Sequence, residues 1–144
     1  MIFLDIAETI LLIVKKGNLY FIVDDDADDQ ELFIEALREL DESGQFVTAF
    51  NGQEALQKLV HEMPFIPDFI FLDLNMPLMN GKQLLVEIKK IKSIQDVPVI
   101  IYSTSNEKKD ILDTMKLGAV YFLQKPNRFN ELSKALDDII SRKW

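Results

Sequence analysis

A doubly wound α/β domain of five βα units around a parallel sheet is predicted by two features of the chain. Apolar strand-like runs alternate five times with apolar residues at helical spacing, and four of the five strand runs end in polar groups. Each crossover between parallel strands is right-handed and must cover the sheet, so helices are expected on both faces.

The first strand is Leu19 to Val23, followed by Leu32, Phe33, Ala36, Leu37 and Leu40 as the apolar stripe of a helix. Phe46 to Phe50 reads as a short second strand. Asn51-Gly52 supplies the turn, and Ala55, Leu56, Leu59, Val60 and Met63 the buried side of a second helix ended by Pro64 and Pro67. Phe69 to Leu72 is the third strand, then a loop with Pro77 and Gly81, then a helix burying Leu84, Leu85, Ile88 and Ile91. Pro98 precedes the fourth strand, Val99 to Tyr102. Ile111, Leu112 and Met115 mark a fourth helix, with Gly118 as its left-handed terminator. Val120 to Leu123 is the fifth strand, and Leu132, Ala135, Leu136, Ile139 and Ile140 follow at i, i+3, i+4, i+7 and i+8.

The 144 residues match one domain, and 48% apolar with 28% charged residues is an ordinary globular balance. Residues 1–16 are set apart as an apolar N-terminal extension of unknown role, and 17–144 as the domain, with no output domain expected. The longest apolar stretch of the extension, Ile10 to Val14, is far short of the ~20 residues that span a bilayer. Lys15 and Lys16 follow the apolar residues instead of preceding them, unlike a secretory signal. Packing on the domain or on a second subunit is the expected use of that surface. A net charge of −8 argues against direct nucleic-acid binding, and the absence of cysteine removes disulfides and thiolate chemistry. A cytoplasmic location is expected.

Function is carried by the strand ends. Five aspartates, Asp24, Asp25, Asp26, Asp28 and Asp29, stand within six residues after the first strand, and Asp73 ends the third. Open α/β sheets bind ligands outside the carboxyl ends of their strands. Carboxylates gathered there offer the oxygen ligands that a hard cation such as Mg²⁺ takes. Ser103 and Lys125-Pro126 follow the fourth and fifth strands. Asp26, Asp28 and Asp29 read as favouring the positive end of the first helix, at about 0.3–1 kcal/mol each, and are left out of the site. His61 reads as structural or solvated.

The set Asp24-Asp25, Asp73, Ser103 and Lys125-Pro126, in this order and separation, resembles the receiver domain of two-component response regulators, of single-domain chemotaxis type. The resemblance runs from about Leu19 through the last helix, and includes Phe71-Leu72-Asp73-Leu74-Asn75-Met76-Pro77 and Phe122-Leu123-Gln124-Lys125-Pro126. It implies a flavodoxin-like sheet of order 2-1-3-4-5. It implies Mg²⁺, with Mn²⁺ as a substitute, on Asp25, Asp73 and the backbone carbonyl of Asn75, with Asp24 acting largely through water. Asp73 would take a phosphoryl group from a phosphohistidine on a sensor histidine kinase or histidine phosphotransfer protein. Ser103 and Lys125 would contact that group, Ser103 and Phe122 would form the switch, and Lys125-Pro126 would be a cis peptide. The implied protein is a phosphoacceptor and not a multiple-turnover enzyme. Its output would be contact with a downstream protein through Lys108, Lys116, Tyr121 and Arg128, or a homodimer. Phe122 lacks the hydroxyl of a tyrosine at the switch position, and Thr104 is bulkier than the alanine common in relatives.

Two other readings stand beside it. A haloacid-dehalogenase-type phosphatase also uses an aspartate nucleophile and Mg²⁺, but needs a second acid two positions later, where Asn75 cannot exchange a proton. A phosphorylation-independent interaction module would leave Asp25, Asp73 and Lys125 without a role. Three carboxylates held close without a cation repel, so Asp25→Asn is expected to strengthen the metal-free fold.

Overall fold

The computed structural model describes residues 5–7, 17–62 and 66–144. The reading of residues 1–16 as an extension therefore lies largely outside the described residues, as do Met63 and Pro64. Among the described residues no helix is long and apolar enough to cross a membrane.

Five strands form one parallel sheet in the order β2-β1-β3-β4-β5. They are β1 (Leu19–Val23), β2 (Gln45–Ala49), β3 (Phe69–Leu72), β4 (Val99–Ser103) and β5 (Tyr121–Gln124), alternating with α1 (Ala27–Leu40), α2 (Gly52–His61), α3 (Gly81–Lys89), α4 (Lys108–Lys116) and α5 (Phe129–Ser141). The uninterrupted apolar runs of β1, β3 and β4 are explained by burial on both faces, as parallel sheets require. Alternate residues serve opposite layers. Phe21, Val23, Ile70, Leu72, Val99 and Ile101 pack with Ala55, Leu59, Leu84, Leu85 and Ile88 of α2 and α3. Tyr20, Ile22, Phe69, Phe71, Ile100 and Tyr102 pack with Phe33, Leu37, Leu132, Leu136 and Ile139 of α1 and α5.

Sequence periodicity overstates the buried stripe at four positions. Leu32, Val60, Leu112 and Met115 are all exposed. Leu112 and Met115 lie on α4, whose one buried residue is Thr114, bonded through its hydroxyl to the carbonyls of Asp110 and Ile111. That helix is held from its polar side: Lys82 of α3 lies 2.8 Å from Asp110 and 3.0 Å from Asp113. Gly118 ends the turn after α4 at φ 109°, the left-handed backbone expected of it. Asn51 and Gly52 do not form a free turn, because Asn51 caps α2 by accepting from the Glu54 N–H at 2.8 Å.

Candidate functional site

Backbone pairing at the carboxyl edge brings the strand ends together. The Asp24 N–H donates to the Ala49 carbonyl at 3.1 Å, and the Asp73 N–H to the Val23 carbonyl at 2.9 Å. Asp24, the residue after β1, and Asp73, the residue after β3, are thereby set side by side. Asp24, Asp25 and Asp73 each present a carboxylate oxygen within 4.8 Å of the others, with Asp24 and Asp73 buried and Asp25 exposed. One open side and two buried oxygens suit a hard cation that keeps part of its water shell, so the donor set is compatible with Mg²⁺ or Mn²⁺.

Burial pushes the Asp73 carboxyl up to about 6, with Asp24 adding to the rise and Lys125 and the backbone N–H groups of Asn75 and Leu74 opposing it. Asp24 is also raised, first by burial, against hydrogen bonds from Lys125 and the Asp26 N–H. Burial pulls the Lys125 ammonium down, but its bonds to Asp24 and Asp29 outweigh that and leave it raised. One lysine thus partly compensates the buried pair of acids, Asp24 and Asp73.

The Lys125 backbone N–H donates to the Ser103 carbonyl at 2.7 Å, which fixes the end of β5 on β4. From there its Nζ donates to Asp24 Oδ2 at 2.8 Å and lies 3.9 Å from Asp73 Oδ2. No peptide bond among the described residues is cis, so the cis Lys125-Pro126 bond implied by the resemblance is corrected to trans. The lysine reaches both acids from the strand end with the trans bond that X–Pro pairs ordinarily prefer.

Ser103 is fully buried, and its hydroxyl accepts from the Ser105 N–H at 3.2 Å. Phe122 pairs in register with Ile101 and is partly buried against the core layer of α2 and α3. Asn75 is exposed, two residues from Asp73, and with Asn80, Lys82 and Asp110 lines a recess beside the pocket. Thr104, Lys108, Lys116 and Arg128 are exposed, Tyr121 is half-buried, and His61 is exposed and away from these groups.

Two residues near the pocket escaped the sequence reading. Gln30 is buried, and its Nε2 donates to the Asp24 carbonyl at 2.8 Å and the Ala49 carbonyl at 2.9 Å. Its spacing of three before Phe33 and seven before Leu37 was a usable signal of a polar group on a buried stripe. Asp29, placed with the helix start, also accepts from Lys125 Nζ at 2.8 Å. No local pattern announces a pair separated by 96 residues. Asp26 behaves as expected of the helix start, accepting from the Asp28 and Asp29 N–H groups as the cap of α1.

Fold and site together define a class: a doubly wound parallel sheet with an acidic, lysine-closed pocket at its carboxyl edge. The response regulator receiver domain matches residues 20–137, and the chain belongs to that family, in which two-component signalling proceeds through a phosphorylated aspartate. The protein-glutamate methylesterase/protein-glutamine glutaminase of Clostridium acetobutylicum is 38% identical over 84% of this chain and 34% of that protein. Its namesake in Methanococcoides burtonii is 32% identical over 80% and 33%. The chain therefore spans about a third of the length of these curated relatives. Among solved structures, the phosphorylated cyanobacterial phytochrome response regulator RcpA is similar at TM-score 0.78 and 30% identity, covering 85% of this chain and 90% of that one. The Mn²⁺-bound response regulator Rcp1 is similar at TM-score 0.76 and 26% identity, covering 86% and 92%.

Proposed function

We propose that residues 17–144 act as a receiver that takes a phosphoryl group onto Asp73 from a phosphohistidine of a histidine kinase or phosphotransfer protein, and signals through phosphorylation-dependent protein contacts. The observation that carries this reading is the placement of the Lys125 ammonium 3.9 Å from Asp73 inside a pocket that also holds Asp24 and Asp25. An Asp73 oxygen would form the new P–O bond as the donor's P–N bond breaks, its electron pair remaining with the imidazole. Lys125 would balance charge on one phosphoryl oxygen, and the Ser103 hydroxyl would donate to another. Asp25, Asp73 and the Asn75 carbonyl, with Asp24 behind them, would hold Mg²⁺, which when bound neutralises part of the charge gathered there.

The role is that of a phosphoacceptor, used once per signal, and not of a turnover enzyme. A haloacid-dehalogenase-type phosphatase is not retained, since Asn75 stands where that chemistry needs a proton donor. Output is proposed for the face of α4, β5 and α5, where Lys108, Lys116 and Arg128 are exposed and Tyr121 is half-buried. A phosphoryl group shifts such a surface only through its different affinity for two states, which Ser103 and Lys125 provide.

Acetyl phosphate with Mg²⁺ tests the acceptor role. Stoichiometric labelling of the wild type and none of Asp73→Asn is expected; continuous turnover, or labelling of Asp73→Asn, overturns it. Sizing the full chain with and without beryllofluoride and Mg²⁺ tests self-association as the output. A dimer indifferent to the mimic removes phosphorylation-dependent dimerisation and leaves a different protein as the partner of that face.

A further inference from the structure

Lys125 is gripped by two carboxylates, and neither is the proposed nucleophile. Its Nζ is 2.8 Å from Asp24 Oδ2 and 2.8 Å from Asp29 Oδ2, against 3.9 Å from Asp73 Oδ2. The Tyr102 ring lies on another side of the ammonium, 5.2 Å to the centroid. An ammonium has three donors. Two are engaged by acids, and the buried setting, with only 11% of the lysine side chain exposed, restricts where the third can point.

The two acids are not equivalent. The Asp24 side chain is 3% exposed and also accepts from the Asp26 N–H at 3.0 Å, so it belongs to the pocket wall. The Asp29 side chain is 35% exposed and stands in the first turn of α1, where its backbone N–H donates to the capping Asp26 carboxylate at 3.1 Å. Its backbone is fixed while its carboxylate faces water, so the Asp29 contact is the one that can be exchanged for another anion at small cost. A carboxylate and a phosphoryl oxygen ask the same thing of an ammonium.

Resting on the proposed phosphoacceptor role, we infer that Asp29 is a positioning residue that holds Lys125 in the unphosphorylated protein and competes with the phosphoryl group for it. The competition sets how readily Lys125 engages the phosphoryl oxygen. It lowers the affinity of the pocket for a phosphoryl group by the worth of one partly exposed ion pair, about twofold to fivefold.

The test is beryllofluoride binding to the full chain at saturating Mg²⁺, with Mg²⁺ alone titrated separately. Four proteins are compared: wild type, Asp29→Asn, Asp29→Glu and Asp28→Asn. Asp28 lies in the same turn and makes no ion pair among the described residues, so its replacement changes net charge equally without freeing Lys125. Asp29→Asn should bind beryllofluoride about twofold to fivefold more tightly, beyond any change in its Mg²⁺ affinity. Asp29→Glu should return to the wild-type value, and Asp28→Asn should stay near it. Equal or weaker binding by Asp29→Asn, or the same gain in Asp28→Asn, overturns the inference while leaving the acceptor role standing. Wild-type protein that takes up no beryllofluoride removes the acceptor role, and the inference falls with it. Should Asp29→Asn fail to fold by circular dichroism, Asp29→Ser is read against the same outcomes.

Discussion

The Ser105 hydroxyl donates to Asp110 Oδ2 at 2.6 Å, tying the loop after β4 to the first turn of α4. The same Ser105 donates its backbone N–H to the Ser103 hydroxyl at 3.2 Å, and Asp110 is also paired with Lys82 of α3. The hydroxyl proposed to sense the phosphoryl group is therefore joined through two bonds to the helix proposed to signal. With little apolar burial of its own, α4 depends on these polar ties. Ser105→Ala removes a hydrogen bond to a charged acceptor, worth roughly 1.5–3 kcal/mol. Amide hydrogen exchange in α4 should accelerate while that of β1 and β3 stays unchanged; equal protection of α4 in both proteins would show that the loop does not anchor it.

Burial of Asp73 makes the stability of the fold depend on pH. Asp73 has a folded pKa of about 6, above the ordinary 3.8, so its charged form is disfavoured by folding. Stability from this group is complete below about pH 4 and is lost as pH rises through about 6. The loss is about 3 kcal/mol at order of magnitude. In metal-free buffer, Asp73→Asn should melt higher than wild type at pH 7, and the gain should vanish near pH 4, where the wild-type carboxyl is already neutral. Asp25→Asn should gain less, because Asp25 is exposed and water already screens it. A lower or equal midpoint for Asp73→Asn at pH 7 would contradict the cost of burial.

Gly81 is required by close approach, not by backbone angle. A Cβ there would stand 2.2 Å from the Asp73 carbonyl oxygen and 2.7 Å from the Leu74 Cα, both main-chain atoms that move only with the segment carrying them. Gly81→Ala should displace the segment from Asp73 to Asn75 and weaken Mg²⁺ binding at least tenfold, a loss of about 1.4 kcal/mol, measured by titration. Unchanged affinity would mean that the loop absorbs the methyl without moving the pocket.

The core beneath the pocket offers a further check. Phe33 of α1 is fully buried, with ring centroids 4.7 Å from Phe71 and 4.8 Å from Tyr102. Phe33→Ala should cost about 3–5 kcal/mol by denaturant unfolding. A cost below about 1 kcal/mol would show that α1 collapses into the space.

Much of the candidate site's placement at one edge of the sheet was legible because each part has a local signature. An apolar run followed by an acid marks Asp24 and Asp73, and the same pattern followed by Ser103 and Lys125 sets the other corners, since a parallel sheet gathers all carboxyl ends on one edge. Strand limits were equally local, with β1 and β3 as read and β2 and β5 displaced by one residue. Helix faces were less so. Periodicity marks a stripe, but whether Leu32, Val60, Leu112 and Met115 are covered depends on what packs opposite, which no window of sequence contains.

The sequence by itself determined the five alternating units and the residue types at the strand ends, because burial on two faces and helical spacing leave marks within a few positions. The tertiary structure alone decided which acids share Lys125, that Gln30 braces Asp24 against the end of β2, and that Ser105 couples Ser103 to α4. Such contacts are made by the sheet order, which sets β1 and its acids beside β3 and carries Lys125 back across the edge from 96 residues away. Hydrogen bonds act over about 3 Å in space and are indifferent to distance along the chain.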